Sequence, residues 1–242
     1  MTIFRAHHLK EIEAKFKASL NAAGRQFKAS AGAFEGMINL TSNDGSTYFY
    51  KEAHKKTHIA QHLTHGVLHG DLWSLSQPNN HVSTSYVIAR DGTIYCLFPD
   101  QYYAYHLGSM SAISNKEWSR KSIGIETSCL GPLVEDKTNP NILLDTYGKA
   151  YCTRADTQFY KACNYRGYKF FATLTDEQYE ATNKLVKHLC EKHKIVFSKL
   201  PTEKAFDLLP GSPTTTYFFH SNVRKDKVDC SPVFEIDRIT GI

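Results

Sequence analysis

Very little in this sequence of 242 residues points to a membrane, a disulfide scaffold or a cysteine-rich metal knuckle. No stretch is long and apolar enough to span a bilayer, which takes about 20 consecutive apolar residues. The opening Met-Thr-Ile-Phe-Arg-Ala-His-His lacks the apolar core of a secretory signal peptide, so synthesis in the cytoplasm without export through that route is expected. The six cysteines, Cys96, Cys129, Cys152, Cys163, Cys190 and Cys230, are scattered, and none forms Cys-x-x-Cys. That spacing argues against a thioredoxin-type dithiol and a zinc knuckle. In a reducing compartment the thiols are expected to be free, with Cys152 and Cys163 the one pair that an exported form would join. There is no internal repeat and no low-complexity tract.

What is present is a chain long enough for one sizeable α/β domain with additions. Lys and Arg number 29 against 24 Asp and Glu, a net charge of +5. A mild basic excess fits an acidic polymer, whether nucleic acid or a cell wall, and equally fits simple solubility. Ile12, Phe16, Leu20 and Phe27 recur at helical spacing with Lys10, Lys15, Lys17, Arg25 and Lys28 between them, which predicts a helix over residues 9–29. The plainer reading is a surface helix packed on the domain; the sharper one is a basic helix that meets a membrane or wall. Asn43-Asp44-Gly45-Ser46 reads as a turn and residues 47–50 as a short strand.

Further strands are expected at 57–64, 82–89, 94–98, 122–128 and 215–219. Residues 82–98 form a hairpin about the turn Arg90-Asp91-Gly92-Thr93. A helix is expected over 66–75, stopped at Pro78-Asn79-Asn80. A second starts at Thr175, where Thr175 and Gln178 make a capping box, and runs to about His193. Residues 130–172 read as irregular, either a functional loop or an insertion with small elements of its own. Residues 201–213 read as a loop. The expected class is α/β.

Three segments carry the chemistry. His54, His58, His62, His65 and His69 fall at near-helical spacing, but the strand character of 57–64 and the glycines Gly66 and Gly70 argue against one metal-binding helix face. Most of these histidines therefore read as exposed or structural, and His62 gains weight only through its partners elsewhere. Ser122-Ile123-Gly124-Ile125-Glu126 is an apolar strand whose alternation sets Ile123 and Ile125 on one face and Gly124 and Glu126 on the other. A carboxylate aimed at a sheet face is paired, functional, or at an edge facing water. Downstream, Phe219-His220-Ser221-Asn222-Val223 is followed by Lys227-Val228-Asp229-Cys230-Ser231-Pro232-Val233-Phe234. His62, His220 and Asp229 offer two imidazoles and one carboxylate; three protein ligands with one open position is how a catalytic zinc is built. Glu126 and Lys227 supply a spare acid/base and a spare cation for hydrolysis. From the residues alone, Cys230 competes equally with Asp229 as third ligand, and with His220 it could also form a nucleophile pair.

The order of motifs resembles the type-2 zinc-dependent N-acetylmuramoyl-L-alanine amidases, the group of phage lysozyme-like and muropeptide-recycling amidases and peptidoglycan recognition proteins. The resemblance runs from about His58 to Phe234. It rests on His62-Leu63-Thr64-His65-Gly66, Val82-Ser83-Thr84-Ser85-Tyr86 leading into Arg90 to Tyr95, and Tyr105-His106-Leu107-Gly108. It continues through the intact Ser-Ile-Gly-Ile-Glu at 122–126, Thr175 to Gln178, and the His220 and Lys227–Phe234 segments. Each motif alone is weak; together, in the family's order, they are specific. The Lys-x-Asp-x-x-Pro-x-Phe register favours Asp229 over Cys230. Phe219 stands where the family has Gly, and Thr84 where lysozyme-like members have a Tyr near the metal. Recycling members also lack that Tyr, which puts more of the catalysis on Glu126.

The resemblance implies a type-2 amidase fold, a central mixed β-sheet flanked by helices, with residues 1–55 as a helical extension that can pack on the core and 56–242 as the catalytic domain carrying an insertion at about 130–172. It implies one Zn²⁺ on His62, His220 and Asp229, Glu126 as acid/base, Lys227 as oxyanion partner and His106 in substrate contact or transition-state support. The implied substrate is peptidoglycan or a muropeptide, not nucleic acid. A lytic, endolysin-like enzyme is the expectation, with a cytosolic recycling amidase on anhydro-muropeptides as the alternative. A non-catalytic peptidoglycan-binding module is the rival from another class.

Overall fold

The computed structural model describes residues 4–45 and 47–241. Residues 1–3 of the N-terminal stretch and Ser46, the last residue of the expected turn, lie outside the described residues. Among the described residues, thirteen strands follow in chain order: β1 (Asn21–Ala22), β2 (Arg25–Ala31), β3 (Met37–Ser42), β4 (His58–Leu63), β5 (Tyr86–Ile88), β6 (Ile94–Cys96), β7 (Ser122–Thr127), β8 (Pro132–Glu135), β9 (Ile142–Asp145), β10 (Ala150–Thr153), β11 (Tyr160–Tyr165), β12 (Tyr168–Ala172) and β13 (Tyr217–Phe219). The helices are α1 (Leu9–Ser19), α2 (Leu68–Leu75), α3 (Asn115–Lys121), α4 (Asp176–His193) and α5 (His220–Val223).

The main sheet has eight strands in the order β1-β2-β3-β6-β5-β7-β4-β13. At its centre β5, β7, β4 and β13 run parallel, while β5 and β6 form the expected antiparallel hairpin. Parallel strands are covered on both faces, and the sequence of β7 is apolar to match. Ile123 and Ile125 join Ile59, Leu185, Val186 and Leu189 in one core, which places α4 on that face. The opposite face packs Val87, Tyr95, Leu68 and Leu72 with Phe16 of α1. A smaller cluster there holds Ala60, Leu107, Trp118 and Phe218. The α/β class and the central mixed sheet stand as expected.

The capping box of α4 is made as read: Gln178 N donates to Thr175 Oγ1 (3.2 Å) and Thr175 N donates to Gln178 Oε1 (3.0 Å). Gln178 Nε2 also donates to the carbonyl of Ser128 (2.8 Å), which ties the helix start to the chain just after β7.

The helix expected over 9–29 ends at Ser19. Leu20 closes it in the left-handed conformation, and Gly24 N donates to Asn21 Oδ1 (2.9 Å) to turn the chain. Phe27 is buried not on a helix but on β2, edge to face with Phe16, and β2 pairs with β3 over five registered positions from Phe27–Ser42 to Ala31–Ile38. The first 55 residues therefore contribute one helix and three strands of the main sheet. The helix itself follows the plainer reading: Leu9 and Phe16 are buried, and Lys10 and Lys17 are paired with Glu177 and Asp91.

Two shorter expectations also change. Residues 47–50 form no strand, only a bridge from Tyr50 to Tyr103, and the strand expected over 82–89 reduces to β5 with Val82 bridged to Tyr105. The 130–172 segment is an insertion with its own architecture, a five-stranded antiparallel sheet ordered β10-β9-β8-β12-β11. All six cysteines are free, so Cys152 and Cys163 are not joined. Among the described residues no helix is long and apolar enough to cross a membrane.

Candidate active site

Three parallel strands end at one place. β4 lies between β7 and β13, with His62 opposite Glu126 and Gln61 opposite Phe219. His62 is the penultimate residue of β4, Glu126 the penultimate residue of β7, and His220 follows β13 directly as the first residue of α5. Functional groups in open α/β sheets collect at the carboxyl ends of strands, and this one obeys the rule. Asp229 arrives from the irregular segment after α5.

His62, His220 and Asp229 are all buried, and a ligand atom from each lies within 4.8 Å of the other two. His220 Nδ1 is 3.0 Å from Asp229 Oδ2 and 3.1 Å from His62 Nδ1, while His62 Nδ1 is 3.5 Å from the same carboxylate oxygen. His220 Nε2 donates to the carbonyl of Leu107 at 3.0 Å, which leaves Nδ1 with a lone pair. Asp229 Oδ1 is buried with no hydrogen-bond partner. Two imidazoles, a carboxylate and an orphaned carboxylate oxygen suit a tetrahedral zinc ion. Burial pushes His62 down to about 4, so its ring is neutral and available as a ligand at neutral pH. Burial works to raise Asp229, but the adjacent His220 and His62 outweigh it and hold the carboxyl well below its ordinary range.

Cys230 takes no part in this cluster. Its backbone is left-handed, with φ +56°, and its Sγ donates to the carbonyl of Gln61 at 3.3 Å. Burial and the neighbouring carboxylates push its thiol well above the usual range, which disfavours a thiolate ligand or nucleophile.

The cluster opens into a cleft of about 220 Å³ that Glu126, Lys227 and His106 also line. Burial, and then the charges of Asp229 and Asp71, drive the Glu126 carboxyl well above its ordinary value, and its Oε2 has no hydrogen-bond partner. Gly124 shares this face, as alternation required. A Cβ there would lie 2.7 Å from Thr84 Cγ2 and 3.3 Å from His106 Cγ, so only glycine admits both neighbours at these positions. His106 stands between His62 and Ser122, with Nδ1 3.1 Å from His62 Nε2 and Nε2 3.0 Å from Ser122 Oγ.

The six residues given roles from the sequence, His62, His106, Glu126, His220, Lys227 and Asp229, all line this cleft. The sequence reading passed over Ser122 and Arg224. Ser122 sits inside the Ser-Ile-Gly-Ile-Glu motif. Arg224 lines the cleft, packs against Gly108 and pairs with Asp226 at 2.6 Å. No spacing pattern marks either one. His54, His58 and His69 lie outside the cleft, whereas His65 lines it.

The profile of one family, N-acetylmuramoyl-L-alanine amidase of the second type, matches residues 41–229, more than half of the chain. The chain belongs to the type-2 N-acetylmuramoyl-L-alanine amidase family. Solved structures similar to it include the E. coli N-acetylmuramyl-L-alanine amidase AmiD in complex with an anhydro-muropeptide substrate, at 17% identity over 82% of this chain and 62% of that one, with TM-score 0.49. The AmpDh3 protein of Pseudomonas aeruginosa, in complex with an anhydromuramic pentapeptide, shares 16% identity over 78% of this chain and 60% of its own, with TM-score 0.47. The endolysin amidase LysCS of Clostridium intestinale shares 12% identity over 86% of this chain and 95% of its own, with TM-score 0.45. The chain thus spans a little under two thirds of the E. coli enzyme. No curated protein matches this sequence.

Proposed function

We propose that the chain is a zinc-dependent hydrolase that cuts the amide between N-acetylmuramic acid and L-alanine in peptidoglycan, with His62, His220 and Asp229 as the zinc ligands. One observation carries this reading: the three ligand atoms converge within 4.8 Å at the floor of a cleft that Glu126 and Lys227 share. A zinc ion held there would act as a Lewis acid and would lower the pKa of a water from about 16 to about 7.

Glu126 takes the proton of the attacking water at its unpartnered Oε2 and returns it to the nitrogen of the departing alanine. Lys227 places its ammonium against the oxygen of the lactyl carbonyl as charge develops there, and one such donor is worth roughly 3–4 kcal/mol. Both nitrogens of His106 face protein partners, so it contributes to substrate binding through its ring surface while it orients His62.

We place the activity on the wall polymer, as a lytic enzyme. A net charge of +5 suits a polyanionic lattice. Thr84 in the cleft is the feature that favours the recycling reading instead.

The deciding experiment uses Glu126→Ala on purified peptidoglycan. Zinc content should match that of the wild type while release of free L-alanine amino groups falls by 10²-fold or more. Full activity in the variant would remove Glu126 from the reaction, and a wild-type protein that releases no amino groups would leave a binding module. Clearing of permeabilised cells supports the lytic role; turnover confined to soluble anhydro-muropeptides supports recycling.

A further inference from the structure

The β11–β12 hairpin of the insertion sheet reaches the catalytic segment, residues 220–229, through its tip. β11 and β12 are joined by Arg166-Gly167, with Tyr165 paired to Tyr168 across the turn. Both turn residues have positive φ, +47° at Arg166 and +90° at Gly167. This is the two-residue hairpin turn that follows the twist of the strands, and its first position ordinarily holds Asn, Asp or Gly. Arginine carries a Cβ into the left-handed region and accepts a steric cost that those residues avoid. The pairing of β11 also shifts register between Ala162 and Tyr165, an irregularity of the kind that re-aims side chains at a strand end.

The strained residue is the one whose side chain leaves the insertion. Its guanidinium makes three hydrogen bonds to backbone carbonyls of the catalytic segment. Nη1 donates to Arg224 O (2.8 Å) and to Lys227 O, and Nη2 donates to Ser221 O (2.9 Å). Ser221 follows His220, and Lys227 precedes Asp229 by two residues. Three fixed points therefore frame the stretch that joins two of the metal-cluster side chains to the cleft cation. Tyr165 supports the fork: the guanidinium lies 5.0 Å from the centre of its ring, and its hydroxyl donates to Phe206 O at 3.3 Å. A planar fork with five donors can serve three carbonyls at once, which an ammonium cannot do in the same geometry.

We propose that Arg166 is a positioning residue, which holds the Ser221–Lys227 backbone so that His220 and Asp229 meet, and that the insertion sheet is its mount. The proposal rests on the zinc reading given above. The test compares wild type, Arg166→Ala and Arg166→Lys in two measurements: zinc affinity by competition with a chromophoric chelator, and amide hydrogen exchange of the zinc-free proteins. Both variants should bind zinc about 10–100-fold more weakly, the range for loss of a residue that orients metal ligands. Exchange should quicken across residues 220–229 while β4 and β7 keep wild-type rates. Zinc affinity within twofold of wild type in Arg166→Lys overturns the proposal, as does faster exchange spread evenly over the whole chain. Should Arg166→Ala fail to fold, Arg166→Lys decides alone. A wild-type protein that takes up no zinc defeats the zinc reading instead, and the local exchange rates then still judge Arg166 by themselves.

Discussion

His106 Nε2 lies 3.0 Å from Ser122 Oγ, and Ser122 has already committed its own proton to the carbonyl of Trp118 at 2.6 Å. The serine oxygen is therefore an acceptor, and Nε2 of His106 is the protonated nitrogen. That leaves His106 Nδ1 as an acceptor, which faces His62 Nε2 at 3.1 Å and fixes the proton of His62 there too. The result is a lone pair on His62 Nδ1, directed at His220 and Asp229. A backbone carbonyl thus sets the tautomer of His62 through two side chains, and Leu107 O does the same for His220 directly.

Ser122→Ala removes the acceptor at the start of this relay without adding bulk. Its zinc affinity should fall about tenfold, the lower end of what loss of an orienting hydrogen bond costs. Chelator competition measures it. Unchanged affinity would mean that packing alone holds the His62 ring.

Asp229 and Cys230, equal as ligands on residue type, separate cleanly in the structure because one points into the cluster and the other to Gln61 O. Asp229→Ala should contain no stoichiometric zinc. Cys230→Ser should keep its zinc and lose only about 1 kcal/mol of stability, since the hydroxyl can make the same bond. Metal analysis of the two purified variants decides between them; zinc lost from Cys230→Ser would reverse the assignment.

How far the sequence alone led depended on whether a residue acts within its own segment. His62, Glu126 and His220 sit at strand ends with clear apolar patterns, and alternation along β7 put Gly124 and Glu126 on the face that bears the cleft. The capping box at Thr175 is local and was legible for the same reason. Strands β1 and β2 were hidden because Phe27 satisfies helical spacing and strand alternation alike, and only pairing with β3 selects the strand. The insertion's strands, four to six residues long and partly exposed, leave little periodic signal. Arg166 could not be found at all, since its meaning lies in carbonyls 55–61 positions away.

Gly124→Ala tests how tightly the cleft wall is packed. The new methyl would meet Thr84 Cγ2 at 2.7 Å, a distance that real contacts do not tolerate. The variant should lose about 1–3 kcal/mol of stability, the usual cost of overpacking, and its activity should fall as His106 is pushed aside. Adding Thr84→Ser removes the opposing methyl, so the double variant should recover part of both losses. Denaturant melts of the four proteins in the cycle give the coupling; strict additivity would show that the two residues do not meet.

Glu13 gives the fold a pH dependence of its own, outside the candidate metal site. It sits on α1 and is buried; its Oε2 accepts the backbone N–H of Arg90 at 2.7 Å, and its Oε1 lies 3.4 Å from Ser128 Oγ. Burial raises its pKa from 4.5 to about 7; Arg90 opposes the rise, while Asp71 and Asp91 add to it. The folded protein therefore holds a proton that the unfolded chain gives up. This contribution is fully present below pH 4.5 and is lost as the pH climbs towards 7. The loss over that window amounts to roughly 3 kcal/mol for a shift of this size. Glu13→Gln keeps an oxygen to accept from Arg90 but cannot ionise. Its stability, read from urea melts between pH 5 and pH 7, should fall less steeply with rising pH than that of the wild type. Parallel curves for the two proteins would show that Glu13 ionises normally in the folded state.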